Sequence, residues 1–94
     1  MQNKQTSTSI EEQIIALKQW KTQNGKLYRK IIFKNFIEAF SFMTHIAIYA
    51  EKVNHHPEWK NVYNELEIWL KTHDKDAITE KDIALAKIID EYNN

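Results

Sequence analysis

One glycine and one proline punctuate this chain of 94 residues, so Gly25 and Pro57 govern where it turns sharply and how far a helix can run between them. Asn24-Gly25 is the strongest two-residue hairpin signal available, because a tight hairpin turn needs positive φ where these residues stand. Extended segments flank it: Trp20 to Gln23 is short, and Lys26 to Lys34 carries Leu27, Tyr28, Ile31, Ile32 and Phe33. From Asn35 no breaker follows until Pro57. Asn35 with Glu38 three residues on is a capping signal, which predicts a helix of about five turns from Phe36 to roughly Asn54, the longest element.

The flanking segments complete the pattern. Ser9 and Glu12 form a capping box ahead of the stripe Ile10, Ile14, Leu17, which predicts a first helix ending near Lys18 or Gln19. Beyond Pro57, Trp59, Val62 and Tyr63 lead into Glu65–Thr72, whose period of two puts Leu66, Ile68, Leu70 and Thr72 on one face of a strand. Glu65, Glu67, Trp69, Lys71 and His73 take the wetter face, so His73 ends that strand. Tyr63-Asn64 is the expected turn between the two strands, and Lys75–Ile78 the expected loop after them. Thr79 with Asp82 opens a last helix buried along Ile83, Ala86 and Ile89–Asp90, up to about Tyr92. Met1 to Thr8 is polar and is expected to be disordered. The order α-β-β-α-β-β-α over residues 9–94 predicts one α+β domain, with helices packed on one face of a four-stranded antiparallel sheet.

Charge and hydropathy narrow the partners. Thirteen basic and thirteen acidic residues give a net charge of zero, so no long-range field draws nucleic acid or an anionic membrane. No cysteine is present, which removes disulfides, thiolate metal sites and cysteine nucleophiles. No run of ~18 apolar residues occurs, and the N-terminal stretch has no apolar core segment, so a cytoplasmic protein is expected. On the long helix, Phe36, Ala39, Phe40, Phe42, Met43, Ile46, Ala47, Tyr49, Ala50 and Val53 occupy about half the circumference, wider than the ~100° stripe one sheet requires. A second partner for helix 36–54 is implied, and homo-oligomerisation into a dimer or tetramer would supply it; a helix lying deep in its own core is the alternative.

Three of the four histidines fall between Glu51 and His73. Imidazole titrates nearest neutrality, so three brought together suit general acid–base chemistry or metal ligation. His55 and His56 stand where a helix must end before proline, and should point in different directions. A polar helix terminus explains that pair without any activity, since His⁺ sits favourably against the helix dipole. Zinc held by His55, His56 and His73 would need adjacent ligands at no recognised spacing, so no metal is expected. His45, near Glu38 and Lys52 on the polar arc, reads as a solvated surface residue. Thr79 and Asp82 have the spacing of a helix cap, and Asp82 is read first as structural.

Glu51-x-x-x-His55-His56-Pro57, then Tyr63 after five residues, His73 after nine more and Asp82 after eight more, resembles the signature of the pterin-4a-carbinolamine dehydratases. The likeness extends through Trp20, Phe36–Met43, His55–Trp59, Asn61–Asn64, Thr72–Asp74 and Leu85-Ala86. It implies dehydration of 4a-hydroxytetrahydropterin to quinonoid dihydropterin, with no cofactor, after an aromatic amino acid hydroxylase has used the pterin. It also implies site roles: His55 and His73 as the acid–base pair, His56 for substrate contact or charge stabilisation, and Glu51 orienting an imidazole or the pterin. Asn54, Thr72 and Asp74 match pocket positions, and Trp20 is a candidate wall. Glu51 lies on the border of the apolar arc beside Phe40, which suits a partly buried carboxylate.

Two positions depart from the pattern: Asn54 stands where many relatives carry aspartate, and Ala77 where a loop glycine is common. If the second position needs positive φ, strain is expected at Ala77. Some animal relatives also serve as dimerisation cofactors of a homeodomain transcription factor through the long helix. An interaction module, or a member that has lost catalysis, is therefore the alternative to an enzyme.

Overall fold

The structure, a computed structural model, describes residues 9–93. The segment 1–8, expected to be disordered, and Asn94 lie outside the described residues. The elements run α1 (Ile10–Ala16), β1 (Lys21–Gln23), β2 (Lys26–Ile32), α2 (Phe36–Val53), β3 (Glu58–Val62), β4 (Glu65–Leu70) and α3 (Glu80–Tyr92). All strand pairs are antiparallel and the sheet order is β1-β2-β4-β3, so the expected α+β architecture is present.

The local signals act as chemistry requires. Asn24 and Gly25 take φ of 53° and 77° and close the β1–β2 hairpin between Gln23 and Lys26. Ser9 accepts from the Glu12 N–H, Asn35 from the Glu38 N–H, and Thr79 with Asp82 forms the third helix cap. In the β3–β4 turn Tyr63 has a φ of 54°, uncommon for an aromatic residue. Neighbouring amides hold it: Asn61 Nδ2 donates to the Tyr63 and Glu65 carbonyls, and Asn64 exchanges hydrogen bonds with the backbone of Phe33.

One sheet face carries Leu27, Ile31, Leu66, Ile68 and Leu70, all buried. Against it lie Ala39, Phe42, Ile46 and Ala50 of α2 and Ile83, Leu85, Ala86 and Ile89 of α3. The opposite face of β2 and β4 holds Tyr28, Lys30, Ile32, Glu65, Glu67 and Trp69, with Tyr28 donating to Glu67 at 2.8 Å.

The ends of α1 and β4 differ from expectation. The first helix ends at Ala16 rather than Lys18 or Gln19, because successive tight turns, Leu17 N–H to Ile14 and Trp20 N–H to Leu17, drop both Leu17 and Trp20 into the core. Strand β4 stops at Leu70, whose partner Leu27 lies next to the first residue of β2. Thr72 then makes an isolated antiparallel bridge with Ala77, and His73–Lys75 forms a 3₁₀ turn, so His73 sits in that turn and not on the strand. The positive φ of this loop falls on Asp76, at 53°, not on Ala77. Aspartate tolerates that conformation better than alanine, so the missing glycine puts no strain on Ala77.

The apolar arc of α2 is divided. Ala39, Phe42, Ile46 and Ala50 are buried, whereas Phe40 remains 55% exposed and Phe36 and Val53 are also open. Ile37 and Ile48, outside the predicted arc, are 76% and 66% exposed.

Leu66 has no exposed surface and lies between β2 and β3 on the core side. Leu66→Ala should destabilise the fold by about 2–5 kcal/mol, a large part of a small domain's total. Urea unfolding with an unchanged m-value would register it.

Candidate functional site

Three chain segments converge at one end of the sheet. The first is the exit of α2. Asn54 adopts the left-handed conformation, φ 56° and ψ 43°, and the His55 N–H bonds back to the Ala50 carbonyl at 3.1 Å. Asparagine and aspartate are the side chains that tolerate this conformation best, so the Asn54 departure keeps the turn. The reversal sends the two following imidazoles opposite ways. His55 turns inward, its side chain 11% exposed, and its Nε2 lies 2.6 Å from Asp82 Oδ1. His56 turns outward, with Nε2 2.9 Å from Glu51 Oε1.

The second segment is the exit of β4. Thr72 is buried, and its backbone bridge to Ala77 tightens the loop so that His73 and Asp74 project from the 3₁₀ turn. The third is the N-terminus of α3. Asp82, wholly buried, accepts from the Thr79 N–H at 2.9 Å and from the Thr72 hydroxyl at 2.8 Å, both on Oδ2. Thr72 and Thr79 hydroxyls lie 2.6 Å apart. A buried carboxylate without such donors would cost several kcal/mol, so one side chain caps the helix, anchors the strand exit and holds the histidine.

These segments surround a cleft of about 440 Å³. Asn54, His55 and His56 line it from α2, with Pro57 and Glu58 following; Thr72, His73 and Asp74 line it from the β4 exit, and Lys81 from α3. Lys26 reaches Glu58 at 2.7 Å and, chiefly through this hydrogen bond, holds the Glu58 carboxyl below its ordinary range. Partial burial opposes the shift, while the charges of Lys26, His73 and Lys71 add to it. At the neighbouring turn a hydrogen bond from Lys71, followed by the charge of the same lysine, holds the Asp76 carboxyl below its ordinary range.

Two expected site residues stand elsewhere. Trp20 does not line this cleft: it is buried, and its indole N–H donates to Asp90 Oδ1 at 2.8 Å beside the Arg29–Asp90 ion pair. Glu51 is 83% exposed rather than half-buried, because its stretch of α2 faces outward, and it reaches the site only through His56. Thr72 lines the cleft, but its hydroxyl faces Asp82. His45, expected on the surface, is exposed and stacks on Tyr92 at 5.4 Å.

Glu58 and Lys81 are lining residues that the spacing argument did not assign. Their only signal is adjacency, Glu58 to His55-His56-Pro57 and Lys81 to Asp82. A second space of about 490 Å³ lies at Gln19, Arg29, Asp90, Glu91 and Asn93. It is the larger, but its Arg29 and Asp90 neutralise each other and it holds no imidazole, so the histidine cleft is the better candidate. Among the described residues no three His, Asp or Glu side chains group closely enough to hold a metal ion. Nor is any of their helices long and apolar enough to cross a membrane.

The arrangement provides imidazoles on two sides of one opening, one of them fixed by a buried carboxylate, which is the equipment of proton transfer. Comparison with known proteins adds the chemistry's context. Residues 3–92 match the family profile "Pterin 4 alpha carbinolamine dehydratase". A Prochlorococcus marinus protein named "Putative pterin-4-alpha-carbinolamine dehydratase" is 50% identical over 91 residues, covering 96% of this chain and 95% of its own length. A Burkholderia cenocepacia protein of the same name is 47% identical over 92 residues, covering 96% and 90%.

A solved Brucella melitensis structure, described as a transcriptional coactivator/pterin dehydratase, superposes with a TM-score of 0.86 at 38% identity, over 98% of this chain and 100% of that one. A pterin dehydratase-like protein identified as a RuBisCO assembly factor in the alpha-carboxysome, 18% identical with a TM-score of 0.64, covers 78% and 84% and shares the fold alone. Matched over nearly its whole length in sequence and in fold, the chain belongs to the pterin-4a-carbinolamine dehydratase family.

Proposed function

We propose that the cleft dehydrates a 4a-hydroxytetrahydropterin to the quinonoid dihydropterin, recycling a pterin cofactor. The observation that carries this reading is that His55, His56 and His73, from two separate chain segments, line one opening in a chain of this family. In the reaction the C4a–O bond breaks, the leaving hydroxyl takes a proton and departs as water, and N5 loses its proton as the C4a=N5 bond forms. A donor and an acceptor on the edges of a flat ring are therefore required, and no redox partner. His55 and His73 share these roles. His56, tethered to Glu51, contacts the substrate or its developing charge, and Asn54 and Asp74 border the ring. An aromatic amino acid hydroxylase is the class of enzyme that leaves the 4a-hydroxyl behind, and the cytoplasm is the setting in which the two would meet.

Homo-oligomerisation through helix 36–53 belongs to the same proposal. Ile37, Phe40 and Ile48 form an exposed apolar strip on a single helix, more than scattered surface residues require. A second reading, an interaction module on α2, rests on the same strip and on the coactivator description of the Brucella relative.

Mixed with freshly generated 4a-carbinolamine, the protein should speed its decay well beyond the spontaneous rate. His55→Ala with His73→Ala should remove at least about 10²-fold of that acceleration, the usual contribution of a positioned acid or base. No acceleration by the unaltered protein would end the enzyme reading; full acceleration by the double variant would move the site elsewhere. Sedimentation should show an oligomer that Phe40→Glu disperses, and a wild-type monomer at all concentrations would refute assembly through α2.

A further inference from the structure

Asp82 has only acceptors to offer when ionised, and both its oxygens are engaged. Oδ2 takes the Thr79 N–H and the Thr72 hydroxyl hydrogen, and Oδ1 faces His55 Nε2 at 2.6 Å. A hydroxyl has a single hydrogen. Because that of Thr72 points to Asp82, the 2.6 Å contact between the two threonines has one consistent direction, with Thr79 donating to Thr72. Thr79 Oγ1 in turn accepts from the Lys81 N–H at 3.3 Å, at the start of α3. The donors therefore line up from the helix terminus through Thr79 and Thr72 onto one carboxylate oxygen, which leaves the other for the imidazole. Thr72 is 3% exposed, so water does not stand in for its hydroxyl.

We infer that Thr72 and Thr79 are positioning residues. They hold the Asp82 carboxylate in the one orientation that fixes His55 as the Nε2–H tautomer and leaves Nδ1 as the ring nitrogen available to a ligand. In the proposed reaction His55 then exchanges its proton with the substrate through Nδ1, and His73 takes the complementary role. The kinetic part rests on the dehydratase reading, whereas the tautomer is a property of the protein without substrate.

The test is carried out on the full-length chain, ¹⁵N-labelled, at a pH about two units above imidazole's ordinary pKa of ~6.5. Long-range proton–nitrogen correlations should show His55 protonated at Nε2, with that proton protected from water. Thr72→Val should reduce the protection and kcat by about tenfold, within the usual effect of losing such an outer partner, and change KM less than twofold. Thr79→Gly should act in the same direction more weakly, and it decides the question if Thr72→Val does not fold, since glycine caps a helix nearly as well as threonine. Thr72→Ser and Thr79→Ser should restore both readouts.

Nδ1 protonated in the wild type, unchanged protection and kcat in folded Thr72→Val or Thr79→Gly, or failure of the serines to rescue would each overturn the inference. If the tautomer and its loss are as described but the wild type does not accelerate dehydration, the positioning role stands and the reaction falls.

Discussion

A carboxylate with no exposed surface must be matched by donors, and Asp82 draws its three from three different places in the chain. Thr79 belongs to the helix it caps, Thr72 to the exit of the central strand β4, and His55 to the residues that follow α2. Satisfying one buried charge therefore brings together the ends of three elements whose packing would otherwise determine only that they share a core. The hydrophobic side of the fold supplies cohesion, through Leu66, Ile68 and Leu70 against α2 and α3. The polar contact supplies register at the one end of the sheet where a cleft remains.

From that anchor the two histidines after α2 acquire different characters. The left-handed turn at Asn54 separates them, one imidazole fixed against a buried acid and the other tethered at the surface to Glu51. The first has little freedom, as suits a group that exchanges a proton along a defined direction. The second can adjust to a ligand. The long helix makes a similar division along its length, one flank in the core and the other bearing Ile37, Phe40 and Ile48 outward. Its C-terminal end carries Glu51, so an assembly formed along that flank would approach the tethered histidine.

Much of the fold was legible because its signals are local. Asn24-Gly25, the caps at Ser9, Asn35 and Thr79, and the alternation from Glu65 each concern neighbours within four residues, and each element appeared where expected. What was not legible depends on distant contacts. Strand β4 ends early because its partner ends, and α1 ends early because Leu17 and Trp20 are drawn inward. Trp20 is claimed by Asp90, 70 residues away.

The site followed the same rule. Adjacent histidines before Pro57 were visible, and so was the Thr79-x-x-Asp82 cap. The cap spacing concealed that Asp82 Oδ1 serves His55, 27 residues distant. Glu58 and Lys81 carried no pattern of their own, and Glu51's exposure depended on which flank of α2 the core would take.

On the proposed reading the ends of α2, β4 and α3, joined through Asp82, form a single pterin-binding cleft. Titration of the ¹⁵N-labelled protein with an unreactive dihydropterin, followed by amide and imidazole shifts, tests it most directly. Saturable shifts confined to residues 54–58, 72–74 and the start of α3 are predicted. Shifts centred on Arg29 and Asp90, or on Ile37, Phe40 and Ile48 with the histidines unmoved, would contradict it.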